Sequence, residues 1–298
     1  MFRKDEITDF PADYLTAMSK ALLKLHSECR AFTAKYDSRP EQNSQASIEI
    51  QNASHPAAII DAWTIGLKLI EYSGEHVTAF VKTITEPIEP FACFTCVRSM
   101  LEASAISAWL LDPSIDANTR HGRTLSLRYD GQKQRRVFEH STGASTAAID
   151  ATGDQIKKIK NEMLAGGFVN QNQGQSIVSI SIQEILGSTE MIRNLLGEET
   201  NYRMLSAIAH GHHWALDSLG YVPTGSGKVE GIDINLRRKE ANRVAIALIG
   251  SAGMKAFCRP MWNLCRYFGW DNLELKEKFE DAANLLGIAA NRRFWTDP

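Results

Sequence analysis

Apolar residues recur along this chain at steps of three and four. From Leu15 the positions are Leu15, Met18, Leu22, Leu25, Cys29, Phe32 and Tyr36. That spacing lays one stripe along one side of a helix. Pro11 suits the first turn of this helix, and Asp37-Ser38-Arg39-Pro40 ends it. The stretch from Glu41 to Asn52 is polar and reads as a linker. Ser54 and Pro56 open a second long helix, with the stripe Ile60, Trp63, Leu67, Ile70, Gly74, Val77, Val81 and Ile84. Its end is the breaker Glu86-Pro87-Ile88-Glu89-Pro90. Two such stripes predict an antiparallel pair or a larger bundle.

A third helix, Phe91 to Leu111, is apolar nearly all round and is expected to be central. A fourth, Ile115 to Glu139, is basic. A fifth, Thr146 to Leu164, ends at Gly166-Gly167. Ser176 to Ile182 alternates polar and apolar residues, which allows a short strand. Ser181 and Glu184 have capping-box spacing. Helical pattern then runs through Leu219, with a break near Gly197. Tyr221 to Ile234 has β-type composition around Gly225-Ser226-Gly227 and reads as a small hairpin or ordered loop. A long helix is expected from Leu236, interrupted or kinked at Pro260. Asp271 and Glu274 should cap the last one. The fold class is therefore all-α: a multi-helix bundle with long antiparallel helices. It is expected to form a single helical domain over 1–298, with an N-terminal helix (8–40) set off by a linker (41–53).

Composition changes little in this picture. Of 298 residues, 44% are apolar and 23% charged, which is ordinary globular usage. The net charge of -2 means that any nucleic-acid binding must come from a local patch. Five cysteines without framework spacing read as reduced thiols. The first ten residues lack the apolar core of a signal peptide, and the apolar run Val244 to Met254 is too short to span a bilayer. A cytoplasmic protein is expected.

The candidate chemistry lies in Glu199 to Leu219, read as one helix. Arg203 and His210 are seven residues apart and return to within about 20° of the same face. A guanidinium holds phosphate through its N–H fork. An imidazole titrates near neutral pH and moves protons. Attack of an RNA 2′-hydroxyl on its own phosphate needs those two functions.

The R-x6-H spacing, within Tyr202-Arg203-x-Leu205-Ser206-x-x-x-His210-Gly211, resembles the R-x4-6-H motif of the HEPN superfamily. These are helical proteins that include many metal-independent RNases of toxin–antitoxin and phage-defence systems. The resemblance covers this one segment and extends at most to Arg98–Glu102 of the third helix. It implies a HEPN-like core and an endoribonuclease, with His210 as general acid/base and Arg203 binding phosphate. It implies no cofactor. Its partners would be RNA, a second copy forming a composite site, and an antitoxin or other protein. The family has a polar residue after the Arg, where this chain has Met204. The rival reading is a non-catalytic interaction, oligomerisation or sensor subunit, in which Arg203 and His210 are structural.

Other constellations carry less. Arg98 and Glu102 form an i, i+4 pair in the third helix; either it is an internal ion pair, or Glu102 orients Arg203 or His210, or Arg98 adds charge for phosphate. Arg120, Arg123, Arg128, Lys133, Arg135 and Arg136 make the fourth helix a candidate RNA-binding surface, with a solvated helix face as the alternative and Arg128 able to face inward. Arg135 and His140 also match R-x4-6-H, but lie about 140° apart on a helix and diverge. His210, His212 and His213 lack a carboxylate at zincin spacing, so no metal site is assigned. Cys93-x2-Cys96 has no second half. Thr224 to Lys228 fails as a P-loop, because Val222 and Val229 replace its Gly and Ser/Thr, and a hairpin turn is the better reading.

Overall fold

The computed structural model describes residues 13–168, 187–230 and 232–285. Pro11, the alternating stretch Ser176 to Ile182 and the box at Ser181 and Glu184 lie outside them. Among the described residues 75% are helical, in eleven helices, and there is one two-stranded antiparallel sheet.

Helix α1 (Tyr14–Lys35) buries Leu15, Met18, Leu22, Leu25, Cys29 and Phe32, which is the predicted stripe. The expected linker is not one. Ser44 accepts a hydrogen bond from the Ser47 N–H at 3.2 Å and so caps a short helix, α2 (Gln45–Asn52). Helix α3 (Pro56–Ile84) has the predicted ends but not the predicted face in its first half. Ile59, Ala62 and Gly66 are buried, and Ile60 is exposed. The reason is the neighbouring helix α4 (Ala92–Leu110). Ser107 Oγ donates to the Gly66 carbonyl at 2.9 Å, and the Ser73 and Ser104 hydroxyls meet at 3.0 Å. A Cβ on Gly66 would stand 2.7 Å from the Leu111 side chain. Small residues set how closely α3 and α4 approach, so the small side of α3 turns inward.

Helix α4 is buried nearly all round and packs against α3 and against two later helices, Glu199–Ala209 and Arg243–Phe268. Helix α5 (Ala117–Ser141), capped by Asp116, packs on α6 (Thr146–Ala165), capped by Ser145. These two share a small cluster of Leu125, Ile159, Met163 and Phe168, separate from the main core. Helix α7 (Ser188–Met191) runs into a π-helical turn, Ile192–Leu196, and Gly197 ends it at φ 69°. Then come α8 (Glu199–Ala209) and α9 (His213–Gly220).

Strand β1 (Tyr221–Val229) pairs with β2 (Ile232–Lys239). Gly225 to Gly227 therefore lies inside a strand, and the reversal follows Val229, where Glu230 has φ 52°. Leu236 lies inside β2 instead of opening a helix. Helix α10 (Arg243–Phe268) begins where Asn242 accepts from the Ala245 N–H at 3.0 Å. Pro260 lies within it. Of the described helices, α10 alone is long and apolar enough to cross a membrane, and 72% of that window is buried inside the fold. Asp271 caps α11 (Asn272–Leu285), accepting from the N–H groups of Leu273 and Glu274.

Candidate functional site

The segment Glu199 to Leu219 is two helices. Helix α8 ends at Ala209, and Gly211 sits in the left-handed region at φ 69°. The Gly211 N–H bonds to the Ile208 carbonyl and the His212 N–H to the Ala207 carbonyl, both at 2.9 Å. This is a Schellman closure, which a glycine at this position favours. His210 is thus the C-cap residue, and His213 starts α9. The expectation of one continuous helix is corrected at Gly211.

Helix α8 buries Tyr202, Leu205, Ala207 and Ile208 against the core, while Met204 packs partly against it. Arg203 and His210 fall on the opposite side and both are exposed. Arg203 is held by a carboxylate. Its Nε and Nη2 donate to one oxygen of Glu199, at 2.9 and 2.8 Å. A second guanidinium, Arg193 from the π-helical turn, lies 3.8 Å from the other Glu199 oxygen. Two arginines thus share one carboxylate at an exposed helix start. Nothing in the R-x6-H spacing points to Arg193, which precedes the helix break at Gly197.

His212 and His213 are also exposed, and the rings of His210 and His212 are 6.3 Å apart. Among the described residues no group of three or more His, Cys, Asp or Glu side chains is gathered as a metal site would need. All five thiols are free, and four are buried. Burial pushes Cys93 and Cys265 up to about 12, which makes them poor nucleophiles.

Glu102 does not orient Arg203 or His210. It accepts from Arg98 Nε at 3.1 Å and from the Tyr202 hydroxyl at 2.8 Å. Arg98 also lies over the Tyr202 ring at 5.9 Å. Burial first, and then this bond to Glu102, raises the Tyr202 phenol. The trio ties α8 to α4 and leaves Arg203, one residue on, facing out.

The basic run on α5 is divided by the fold. Arg120 is fully buried, with Nε 2.9 Å from Glu49 of α2 and its guanidinium 3.9 Å from the Tyr267 ring centroid. Arg123 is buried over Trp109 and 4.0 Å from Asp112, and burial pulls it down to about 10. Arg128 faces Asp61 at 3.5 Å and Glu162 at 3.6 Å. Arg120 and Arg123 are taken up by packing between helices, which corrects the reading of them as phosphate ligands, while Arg128 stays partly exposed. Lys133, Arg135 and Arg136 stay exposed on the second half of the helix, where Lys133 lies over the Tyr129 ring and Arg135 pairs with Glu139 at 2.8 Å.

In comparisons with known proteins the chain matches no family model, no curated protein and no solved structure.

Proposed function

We propose that the outer face of α8 binds RNA phosphate and cleaves the chain without a metal ion, as a ribonuclease of the HEPN type serving a bacterial defence or toxin–antitoxin system. The supporting observation is that Arg203 and His210 are both exposed on the side of α8 that the core does not use, and among the described residues neither is held by a fully buried partner. The Arg203–Glu199 pair is an exposed i, i+4 contact, worth only about 0.3–0.5 kcal/mol, so a phosphate can displace the carboxylate. Arg193 adds a second cation at the same place. His210 then serves as the general acid/base, and a second copy of the chain supplies the other half of the site.

A gel assay on mixed cellular RNA tests this. His210→Ala and Arg203→Ala should each lower cleavage by about 10²- to 10⁴-fold with helix content unchanged. Arg203→Lys should rescue little, because an ammonium lacks the fork. Chelators should have no effect. His140→Ala should be silent. Cleavage absent from the wild-type protein, or equal in the variants, removes the proposal. The rival reading is then the better one: a non-catalytic oligomerisation or sensor subunit. The inward turn of Arg120 and Arg123 favours it, since it shrinks the cationic surface open to RNA.

A further inference from the structure

Strand pairing gives the β1–β2 hairpin two unlike faces. Ser226 pairs with Asn235 and Lys228 with Asp233, so one face is polar. Gly225 pairs with Leu236, Gly227 with Ile234 and Val229 with Ile232, so the other is apolar. A sheet with one apolar face ordinarily buries it. Here Ile232 is 69%, Val229 55% and Leu236 45% exposed, and among the described residues none of these, nor Ile234, packs against either core cluster. Two strands alone are marginal in water. The hairpin is held at its base instead, by Tyr221 against Phe91 and by the Glu240 N–H on the Gly220 carbonyl at 2.9 Å.

The relief of this face is uneven. Ile232, Ile234 and Leu236 make a ridge along β2. Gly225 and Gly227 make a floor along β1 at the height of Leu236 and Ile234. A Cβ on Gly227 would meet Leu236 Cδ1 at 3.6 Å and Ile234 Cγ1 at 3.8 Å, which places this glycine on the apolar face. Ridge and floor therefore fit each other.

We propose that this face is the contact surface for a second copy of the chain, packed about a two-fold axis that runs along the strands. That axis sets β1 of one copy over β2 of the other at equal height. Ile234 then fills the space over the partner's Gly227, and Leu236 that over the partner's Gly225. A two-fold axis across the strands would instead set ridge on ridge and leave the two floors facing a gap. The contact is self-complementary, as a two-fold interface must be. It also brings both hairpin bases to one end of the dimer. Helix α9 joins that base directly, so both His210–His213 segments lie at that end. Only this last consequence rests on the ribonuclease reading.

Sedimentation of the full chain at micromolar concentration tests the pairing and needs no activity. The wild-type protein should be a dimer. Ile232→Glu should weaken association at least about tenfold. Gly227→Thr is the sharper variant. Its new Cβ makes only ordinary contacts within its own chain and suits a strand, so thermal stability should hold while the dimer is lost. A monomeric wild-type protein, or a dimer that survives both substitutions, overturns the proposal. A spin label on Glu230→Cys, in a Cys96→Ser background, reads the axis. The two tips should lie together, whereas a separation of about one strand length, roughly 26 Å at 3.3 Å per residue, rejects this geometry. If the protein dimerises as described and cleaves no RNA, the ribonuclease reading falls and the interface stands.

Discussion

Glu49→Ala should be the most damaging single substitution on α2, although α2 has only eight residues. Arg120 has no exposed surface and receives its counter-charge from Glu49, with contacts of 2.9 and 3.3 Å. Its other acceptors are the neutral carbonyls of Leu110, Asp112 and Ile115. Removing the carboxylate strands a buried cation. It also frees the Tyr267 hydroxyl, which donates to Glu49 at 2.6 Å, and the Gln45 amide at 2.9 Å. Breaking a buried pair from one side costs about 3–5 kcal/mol. At about 2–4 °C per kcal/mol for a chain of this size class, the midpoint should fall by roughly 6–20 °C. Tyr267→Phe removes one bond to a charged group and should cost about 1.5–3 kcal/mol. Glu49→Leu with Arg120→Met should cost less than Glu49→Ala alone, because no charge is left buried. It should still fall short of wild type, since the carbonyls ending α4 lose their donor. The assay is thermal and urea unfolding followed by circular dichroism, with exposed Glu71→Ala as the control. A Glu49→Ala cost within about 1 kcal/mol of that control would show that Arg120 does not depend on this carboxylate, because a buried unpaired guanidinium cannot be that cheap.

Stability should also fall as pH drops from about 6.5 toward 5. His26, His76 and His121 all lie below the ordinary histidine range, chiefly through burial, with His55 adding to the effect on His121. Their lowered folded values mean that the unfolded chain takes up protons first, so stability is lost going down through 6.5 and recovered going up; His121→Leu should flatten part of that slope in thermal melts across pH. Below the ordinary glutamate range, about 4.3, a separate loss should begin as Glu139 and Glu274, held down by hydrogen bonds from Arg135 and Lys35, are protonated. Gly66→Ala should cost about 1–3 kcal/mol in urea unfolding, because its Cβ meets Leu111 at 2.7 Å and α3 must lift from α4; a neutral result would mean that the two helices are not held this closely.

Much of the helical frame was readable in the sequence, because α1 and the second half of α3 bury large residues at steps of three and four. The first half of α3 was not, since beyond Ile59 its inner face is Ala62 and Gly66, and small size carries no apolar signal. The inward turn of Arg120 was hidden for a different reason. Its partner lies 71 positions away, inside a polar stretch that looked like linker, and charge alone does not tell a buried cation from a solvated one. Gly211 stands between two histidines in a helical pattern, and only its left-handed backbone, φ 69°, shows that α8 ends there. Tyr202 took the contact assigned to Arg203 because adjacent residues on a helix point about 100° apart. Only Tyr202 faces Glu102 on α4.

The separateness of the α5–α6 cluster has a kinetic meaning. Four buried apolar residues hold the pair together, whereas α4 belongs to the main core over most of its length. Regions with few buried contacts open below the global unfolding free energy, as cooperative units of their own. The buried Arg120 and Arg123 pin the first turns of α5, so opening should start from the far end, where Val137 and Phe138 are already in water. The protein would then breathe by peeling this helical pair from its tip toward the arginines. Amide protons there would exchange well before those of α4, and proteases would find their first cut in the same place.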